Sequence, residues 1–476
     1  MRILFIVEKI EFEPLGILQL SSILKRAGHD VKLVIASDED PVTVARRFQP
    51  GLVGYTAFTG TQHFYLQVNR RIKEEVPGVF SAFGGPHPTF FPELVEEDGV
   101  DGVCLGEGED ALPDLAAALD AGNDYTTIPN WWFKADGRIV RNEVRPLIAD
   151  LDTLPFLDRA LLYDIHPLSR HARNRPMTMG RGCPFDCSYC FNHSYFALYK
   201  GKGKRIRQRS VDNLIEEYVQ LQRQYPFSFV IFTDDTFIVS RDWLREFADK
   251  WPAAGGVPFH AQVRANLVDE EIAGLLVRAG CQAVGMGVES GNDRLRNEVL
   301  NRNLSREQIV RAAEIINRHG LALITTTMLG LPTGSLATDF ESLELNVACR
   351  PAYAATYLYQ PYPRTRLGEF TKAEGLLEGS FDDIIPSAVQ KSVLKFASPQ
   401  EKHRIEHLQN WFAIGVEWPW LLPLIRQIIR LPKNPLSWLA YKLWKGYALR
   451  RRIHPYPMTF REFMDTVRQF MAIDTH

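Results

Sequence analysis

Six cysteines in 476 residues are too few for a disulfide-stapled chain, and three of them stand alone. Cys104, Cys281 and Cys349 have no cysteine near them in the sequence, so no second pair exists to complete a four-thiolate zinc site. Net charge is nearly absent at -2, which removes the electrostatic reason to expect a nucleic-acid partner. No uninterrupted run of about 18 apolar residues occurs, so no spanning helix is expected. The opening "MRILFIVEKI" reads as a strand; its apolar run is too short, and too soon broken by Glu8 and Lys9, for a signal peptide. Cysteines clustered in such a chain point to metal or redox chemistry in a reducing cytoplasm. The hydrophobic content of 45% and charged content of 24% are those of a soluble globular protein, and the length predicts two or three domains.

What is present is a cluster. "RGCPFDCSYC", residues 181–190, holds Cys183, Cys187 and Cys190 at C-x3-C-x2-C spacing. An iron–sulfur cube usually takes four cysteines. A cube held by three keeps one iron open to another ligand. The alternatives are a zinc ion completed by His193 and a chance group of buried cysteines.

Periodicity predicts an α/β chain. Residues 1–145 alternate strands such as "RILFIV", "LVGYTAF" and "VFSAFGG" with amphipathic helices, as in a doubly wound, Rossmann-like domain. Residues 146–172 read as a connector. Residues 173–370 resume the alternation from "PMTMGRG" through "FVIFTDD", "FHAQVRA", "QAVGMGVES", "ALITTTMLG" and "AATYLYQPY". About six βα units fall short of the eight that close a barrel, so a partial (β/α)6 barrel is expected. Ligands of both sheet types sit at the carboxyl ends of the strands. Residues 371–476 read as a mostly helical region. From Trp418 to Arg461 there are nine Lys or Arg and no Asp or Glu, and five of the nine tryptophans lie between Trp411 and Trp444. Residues 411–461 therefore suit either peripheral contact with anionic lipid or a helical cap with a basic outer face.

With Tyr189 in the aromatic place, the triplet resembles the C-x3-C-x-aromatic-C motif of the radical S-adenosylmethionine superfamily. The resemblance implies a [4Fe-4S] cluster on Cys183, Cys187 and Cys190, whose open iron takes the amino and carboxylate groups of S-adenosylmethionine. It implies further contacts to that molecule from Tyr189, from Asp234 and Asp235 in "FTDDTF", and from Arg264 in "QVRAN". Glu289 and Ser290 in "GVESG" resemble the family's ribose-binding pair. Gly330 in "MLGLPTG" resembles the loop along the adenine, where glycine permits close backbone approach. Plainer readings stand beside these: helix caps for Asp234, Asp235, Glu289 and Ser290, a surface ion pair for Arg264, and an ordinary turn at Gly330.

"EPLGILQLSSILKRAGHDV", "GGPHPTFFPE" and "GEGEDAL" look like the cobalamin-binding domain fused to many radical S-adenosylmethionine enzymes. The resemblance covers nearly all of residues 1–140. It implies cobalamin contacts from Gly16, Thr56, Thr59, Gly84, Gly85, Pro86, Gly106 and Glu107, with Thr61 adding a hydroxyl for the nucleotide tail. A Rossmann-like domain without ligand is the alternative. The D-x-H-x-x-G motif that places histidine on cobalt is absent, so no lower axial ligand is named. His87, in the glycine loop, is expected at the surface.

Together the resemblances imply a cytoplasmic, class B methyltransferase-like radical enzyme, dependent on cobalamin. It would methylate an unactivated carbon of a small-molecule or lipid-like intermediate, using a 5'-deoxyadenosyl radical, methylcobalamin and an external electron donor such as flavodoxin or ferredoxin. A cyclase or oxidase without methyl transfer, like the porphyrin-ring cyclase, and a cobalamin and cluster redox sensor are the rivals. The methylthiotransferases use further upstream cysteines, whereas only Cys104 lies upstream here. No catalytic side chain is singled out.

Overall fold

Strand β1 (Arg2–Val7) buries every residue but Arg2. Continuous burial suits a central strand of a parallel sheet covered on both faces. Around it lie β2 (Asp30–Ile35), β3 (Leu52–Thr56), β4 (Phe80–Gly84), β5 (Gly102–Cys104), β6 (Trp131–Ala135) and β7 (Arg138–Arg141). This computed structural model describes residues 1–381, 384 and 391–453. The predicted C-terminal region beyond 453, including Arg461, lies outside the described residues. The chain forms two units, one of residues 1–171 with 194–204, the other of 172–193 with 205–476.

The first unit holds a seven-stranded sheet in the order β2-β1-β3-β4-β5-β6-β7. Its first five strands are parallel, as the sequence predicts. The β6–β7 hairpin, paired antiparallel at the edge, departs from the all-parallel expectation. Its two-residue turn, Asp136–Gly137, has positive φ at both positions, which is what a D-G pair supplies between strands. Of the connector expected at 146–172, all but Ala172 belongs to this unit. The Tyr163 hydroxyl donates to Glu13 at 2.9 Å, and the Ser21 hydroxyl donates to Asp158 at 2.6 Å.

The second unit holds β8 (Asn174–Met177), the short antiparallel pair β9 (Gly180–Arg181) and β10 (Arg207–Gln208), then β11 (Phe229–Phe232), β12 (Phe259–Val263), β13 (Cys281–Glu289), β14 (Ala322–Leu329) and β15 (Tyr353–Leu358). Six strands form one parallel sheet in the order β8-β11-β12-β13-β14-β15. Among the described residues β8 and β15 do not pair, so the sheet curls as an open half-barrel. The helices between strands start at Ser210, Ser240, Asp269, Ser305 and Ser335, each accepting from the backbone N–H three residues on. Ser305 and Gln308 complete a reciprocal capping box. Ser305→Ala is expected to destabilise this unit by about 1 kcal/mol in denaturant unfolding; an unchanged midpoint would show that the cap is idle. The C-terminal helix Pro399–Glu417 places Ile405, Leu408 and Phe412 against Leu329 and Leu358. Among the described residues no helix is long and apolar enough to cross a membrane.

Candidate radical and cobalamin site

The chain leaves β8, turns through Met179 and Gly180, and enters the cysteine loop. Asp234, in the loop after β11, holds that turn: its carboxylate accepts from Met179 N–H at 3.0 Å and Gly180 N–H at 2.8 Å. Burial pushes the Asp234 carboxyl up to about 7, against the pull of these two donors. The geometry gives Asp234 an anchoring task at this turn. Its folded pKa lies above the ordinary 3.8, so between those values the native state holds a proton that the unfolded state has lost. Stability should therefore fall as pH rises from about 4 to about 7. Asp234→Asn is expected to flatten that slope in unfolding measured across pH; an unaltered slope would assign it to another group. Asp235 is exposed and accepts from the Asn192 side-chain amide at 3.0 Å.

The three thiols are free. Cys183 Sγ lies 3.6 Å from Thr236 Oγ1, Cys187 Sγ accepts from Arg264 Nη1 at 3.5 Å, and Cys190 Sγ accepts from Asn192 N–H at 3.5 Å. Burial pushes the Cys190 thiol up to about 11, and the charges of Asp235, Cys187 and Cys183 add to the rise. The three sulfurs thus share one neighbourhood, and at Cys190 a thiolate is costly unless a cation takes it. Among the described residues, no three His, Cys, Asp or Glu groups converge tightly enough for a single metal ion. His193, the fourth ligand of the zinc alternative, instead accepts from Arg366 N–H at 3.3 Å. Three thiols in one neighbourhood, Cys187 buried and Cys183 and Cys190 half-buried, fit a cube, which spreads its ligands more widely than one ion does.

Beyond β12 and β13 a buried polar group assembles. Arg264 is not the surface ion pair of the plainer reading. It is buried, its guanidinium carbon sits 3.7 Å from the centre of the Phe185 ring, and its Nε donates to Asn266 at 3.1 Å. Arg302 donates to the Tyr189 hydroxyl at 2.8 Å and lies 3.7 Å from Glu289 Oε1. Glu289 also accepts from Thr326 Oγ1 at 3.4 Å. Burial raises the Glu289 carboxyl while Arg302 opposes the rise, and burial with the nearby Glu289 charge raises the Tyr189 phenol well above its usual value. Sequence reasoning missed Arg302. The signal was "NRN": Asn301 and Asn303 both adopt positive φ, at 53° and 52°, and asparagine is among the few residues that tolerate it. Ser290 is buried and its hydroxyl accepts from Asn292 N–H at 3.3 Å, a local turn contact. Gly330 has φ of 65°, and a Cβ there would come within 3.0 Å of Phe396, so close packing inside the chain already requires this glycine.

In the first unit, several of the glycines expected to make room for a ligand make room for protein. Gly85 has φ of 94°, and a Cβ would meet Thr56 Oγ1 at 3.0 Å and the Ala57 backbone at 3.2 Å. Gly84 accepts through its carbonyl from Ala57 N–H at 3.0 Å, and Pro86 opens the short helix Pro86–Phe90. A Cβ on Gly106 would overlap the Tyr199 hydroxyl, which accepts from Glu107 N–H at 2.9 Å. The Glu107 carboxylate accepts from Ile148 N–H at 2.9 Å. His87, expected at the surface, is buried: it stacks on Phe91 at 4.6 Å and lies 3.2 Å from Thr59 Oγ1. What stays open at the carboxyl ends of β1 and β3 is Gly16, with nothing within 4 Å of its Cβ direction, and the rings of Phe12 and Phe58, 85% and 57% exposed. Exposed aromatic rings at that end of a parallel sheet fit a large, flat, partly apolar group.

Residues 177–341 match the radical SAM superfamily, and residues 1–116 match the B12 binding domain. An uncharacterized methyltransferase of Pyrococcus horikoshii is 30% identical over 376 residues, covering 76% of this chain and 79% of that protein. The chain belongs to the cobalamin-binding radical S-adenosylmethionine family. It is a radical S-adenosylmethionine enzyme, and its family membership carries a [4Fe-4S] cluster, S-adenosylmethionine and cobalamin. The anaerobic magnesium-protoporphyrin IX monomethyl ester cyclase of Rubrivivax gelatinosus is 27% identical over 369 residues, 74% of this chain. The chain spans 64% of that cyclase's length. Among solved structures, the radical S-adenosylmethionine methyltransferase TsrM from Kitasatospora setae shares the fold with a TM-score of 0.69 at 18% identity, covering 98% of this chain and 99% of its own. The cobalamin-dependent S-adenosylmethionine radical enzyme OxsB shares it at 0.68 and 16%, covering 98% of this chain and 74% of its own.

Proposed function

We propose that this family member transfers a methyl group to a carbon of a small-molecule substrate. The observation that carries the reading is both cofactor-binding regions in one chain that aligns over three quarters of its length with a methyltransferase. When bound, the cluster and S-adenosylmethionine supply a hydrogen-abstracting radical, and cobalamin supplies a transferable methyl group. The chain's own residues hold and orient. Cys183, Cys187 and Cys190 hold the cluster. Arg264, already on Cys187, donates to a thiolate of that cluster. Tyr189 and Glu289, fixed by Arg302, present a hydroxyl and a carboxylate that suit the polar groups of S-adenosylmethionine. Asp235 is the acidic group of its loop left exposed for the ammonium. Thr56, Thr59, Gly16 and the loops after β4 and β5 line the cobalamin end of the first sheet. An external one-electron donor of flavodoxin or ferredoxin type reduces the cluster.

Ring formation without methyl transfer is the second reading, favoured by the identity to the cyclase. Trideuteromethyl S-adenosylmethionine separates the two. Incubated anaerobically with reductant and the loaded enzyme, it is expected to place the labelled methyl on cobalamin. Release of 5'-deoxyadenosine with cobalamin left unlabelled would favour the cyclase-like reading.

A further inference from the structure

The helix Pro435–Ala448 carries apolar residues on its outer face as well as on its buried one. A surface helix ordinarily buries its apolar stripe and shows its charges. This one shows Leu436, Leu439, Leu443 and Tyr447, spaced along one face and between 41% and 75% exposed. Its buried side holds Tyr441 and Ala448 together with Ser437 and Lys442, and the Ser437 hydroxyl bonds His407 Nε2 at 3.0 Å. The segment before it continues the exposure with Trp420, Leu424 and Leu431. Trp418 joins the two stretches, its ring 4.8 Å from that of Trp444. Contiguous apolar surface rimmed by charge marks a site of interaction.

The charge indicates the partner. Between Trp418 and Ile453 there are eight Lys or Arg and no Asp or Glu. The neighbouring acid, Glu417, is already paired with Arg452 at 2.9 Å. Arg426, Arg430 and Arg451 are exposed. A second copy meeting this face would set base against base. Exposed tryptophan, leucine and arginine side chains within one segment match the boundary of an anionic bilayer, where indole and alkyl groups enter the headgroup layer and arginines meet phosphate.

We propose that residues 418–453 seat the enzyme on an anionic membrane surface. The proposal stands apart from the methyl-transfer reading, because it concerns where the enzyme works and not what it does there.

Co-sedimentation of the full-length, cofactor-loaded protein tests it, with vesicles of phosphatidylcholine alone and of phosphatidylcholine mixed with phosphatidylglycerol. Binding is expected to the mixed vesicles only, and to weaken as salt rises. The pair Leu439→Glu and Leu443→Glu should weaken binding about tenfold or more, and the pair Arg430→Gln and Arg451→Gln severalfold. Both variants should unfold as the parent does, since the changed side chains are exposed. No binding, or equal binding to neutral vesicles, would overturn the proposal. So would a marked loss of stability in the leucine variant, which would mean that the chain itself covers this face. A dimer seen by light scattering and dissolved by the leucine variant would assign the face to a second copy instead.

Discussion

Cys187→Ala is expected to strip iron from the protein and reduce 5'-deoxyadenosine formation below detection, while cobalamin remains bound. Cys187 is buried and takes the Arg264 hydrogen bond at 3.5 Å. Removing it leaves two thiols for a cube that already has one cysteine fewer than usual. The cobalamin end is built on a separate core, from Leu4 and Ile6 through Phe83 to Val103, in the first unit. That core contains none of the three cysteines. Metal analysis together with chromatography of the nucleoside products checks both halves of the expectation. If cobalt left with the iron, the two units would not bind their cofactors independently.

Arg302→Met is expected to destabilise the second unit by about 3–5 kcal/mol, the usual consequence of leaving one member of a buried ion pair uncompensated. Arg302 and Glu289 are 7% and 13% exposed at their side chains. With Arg302 gone, the Glu289 carboxyl loses the largest of the groups that oppose the effect of burial, keeping only Thr326, Tyr189 and the more distant charge of Arg264, and Tyr189 loses its 2.8 Å donor. Adding Glu289→Gln should restore part of the loss, because a neutral amide tolerates the apolar neighbour better than a carboxylate does. Denaturant unfolding of the parent, both single variants and the double variant measures the coupling. A loss below about 1 kcal/mol in Arg302→Met would mean that solvent already screens the pair.

The strands of the half-barrel were legible because parallel strands covered on both faces read as continuous apolar runs, such as "FVIF" at β11. The β6–β7 hairpin was not, since "RIVR" at β7 has both end residues exposed and no apolar run to announce it. The cysteine triplet was legible because its ligands are neighbours in sequence. Arg302 was not, because the hydroxyl it serves on Tyr189 is 113 residues away. Glycines were legible as requirements but not as contacts. Gly106 leaves room for Tyr199, and Gly85 for Thr56 and Ala57, neighbours that no stretch of sequence names. A sequence shows that a side chain would not fit; it does not show what occupies the space. His87 was misplaced for the same reason: Phe91, four residues on, stacks on it and buries it.

The most direct measurement of the central claim is the cobalt and iron content of the protein after anaerobic purification from cells supplied with cobalamin. About four irons and one cobalt per chain are expected if the three cysteines hold a cube and the first unit holds cobalamin. Four irons without cobalt would leave a radical enzyme whose first unit is structural, and would contradict the two-cofactor account on which methyl transfer rests.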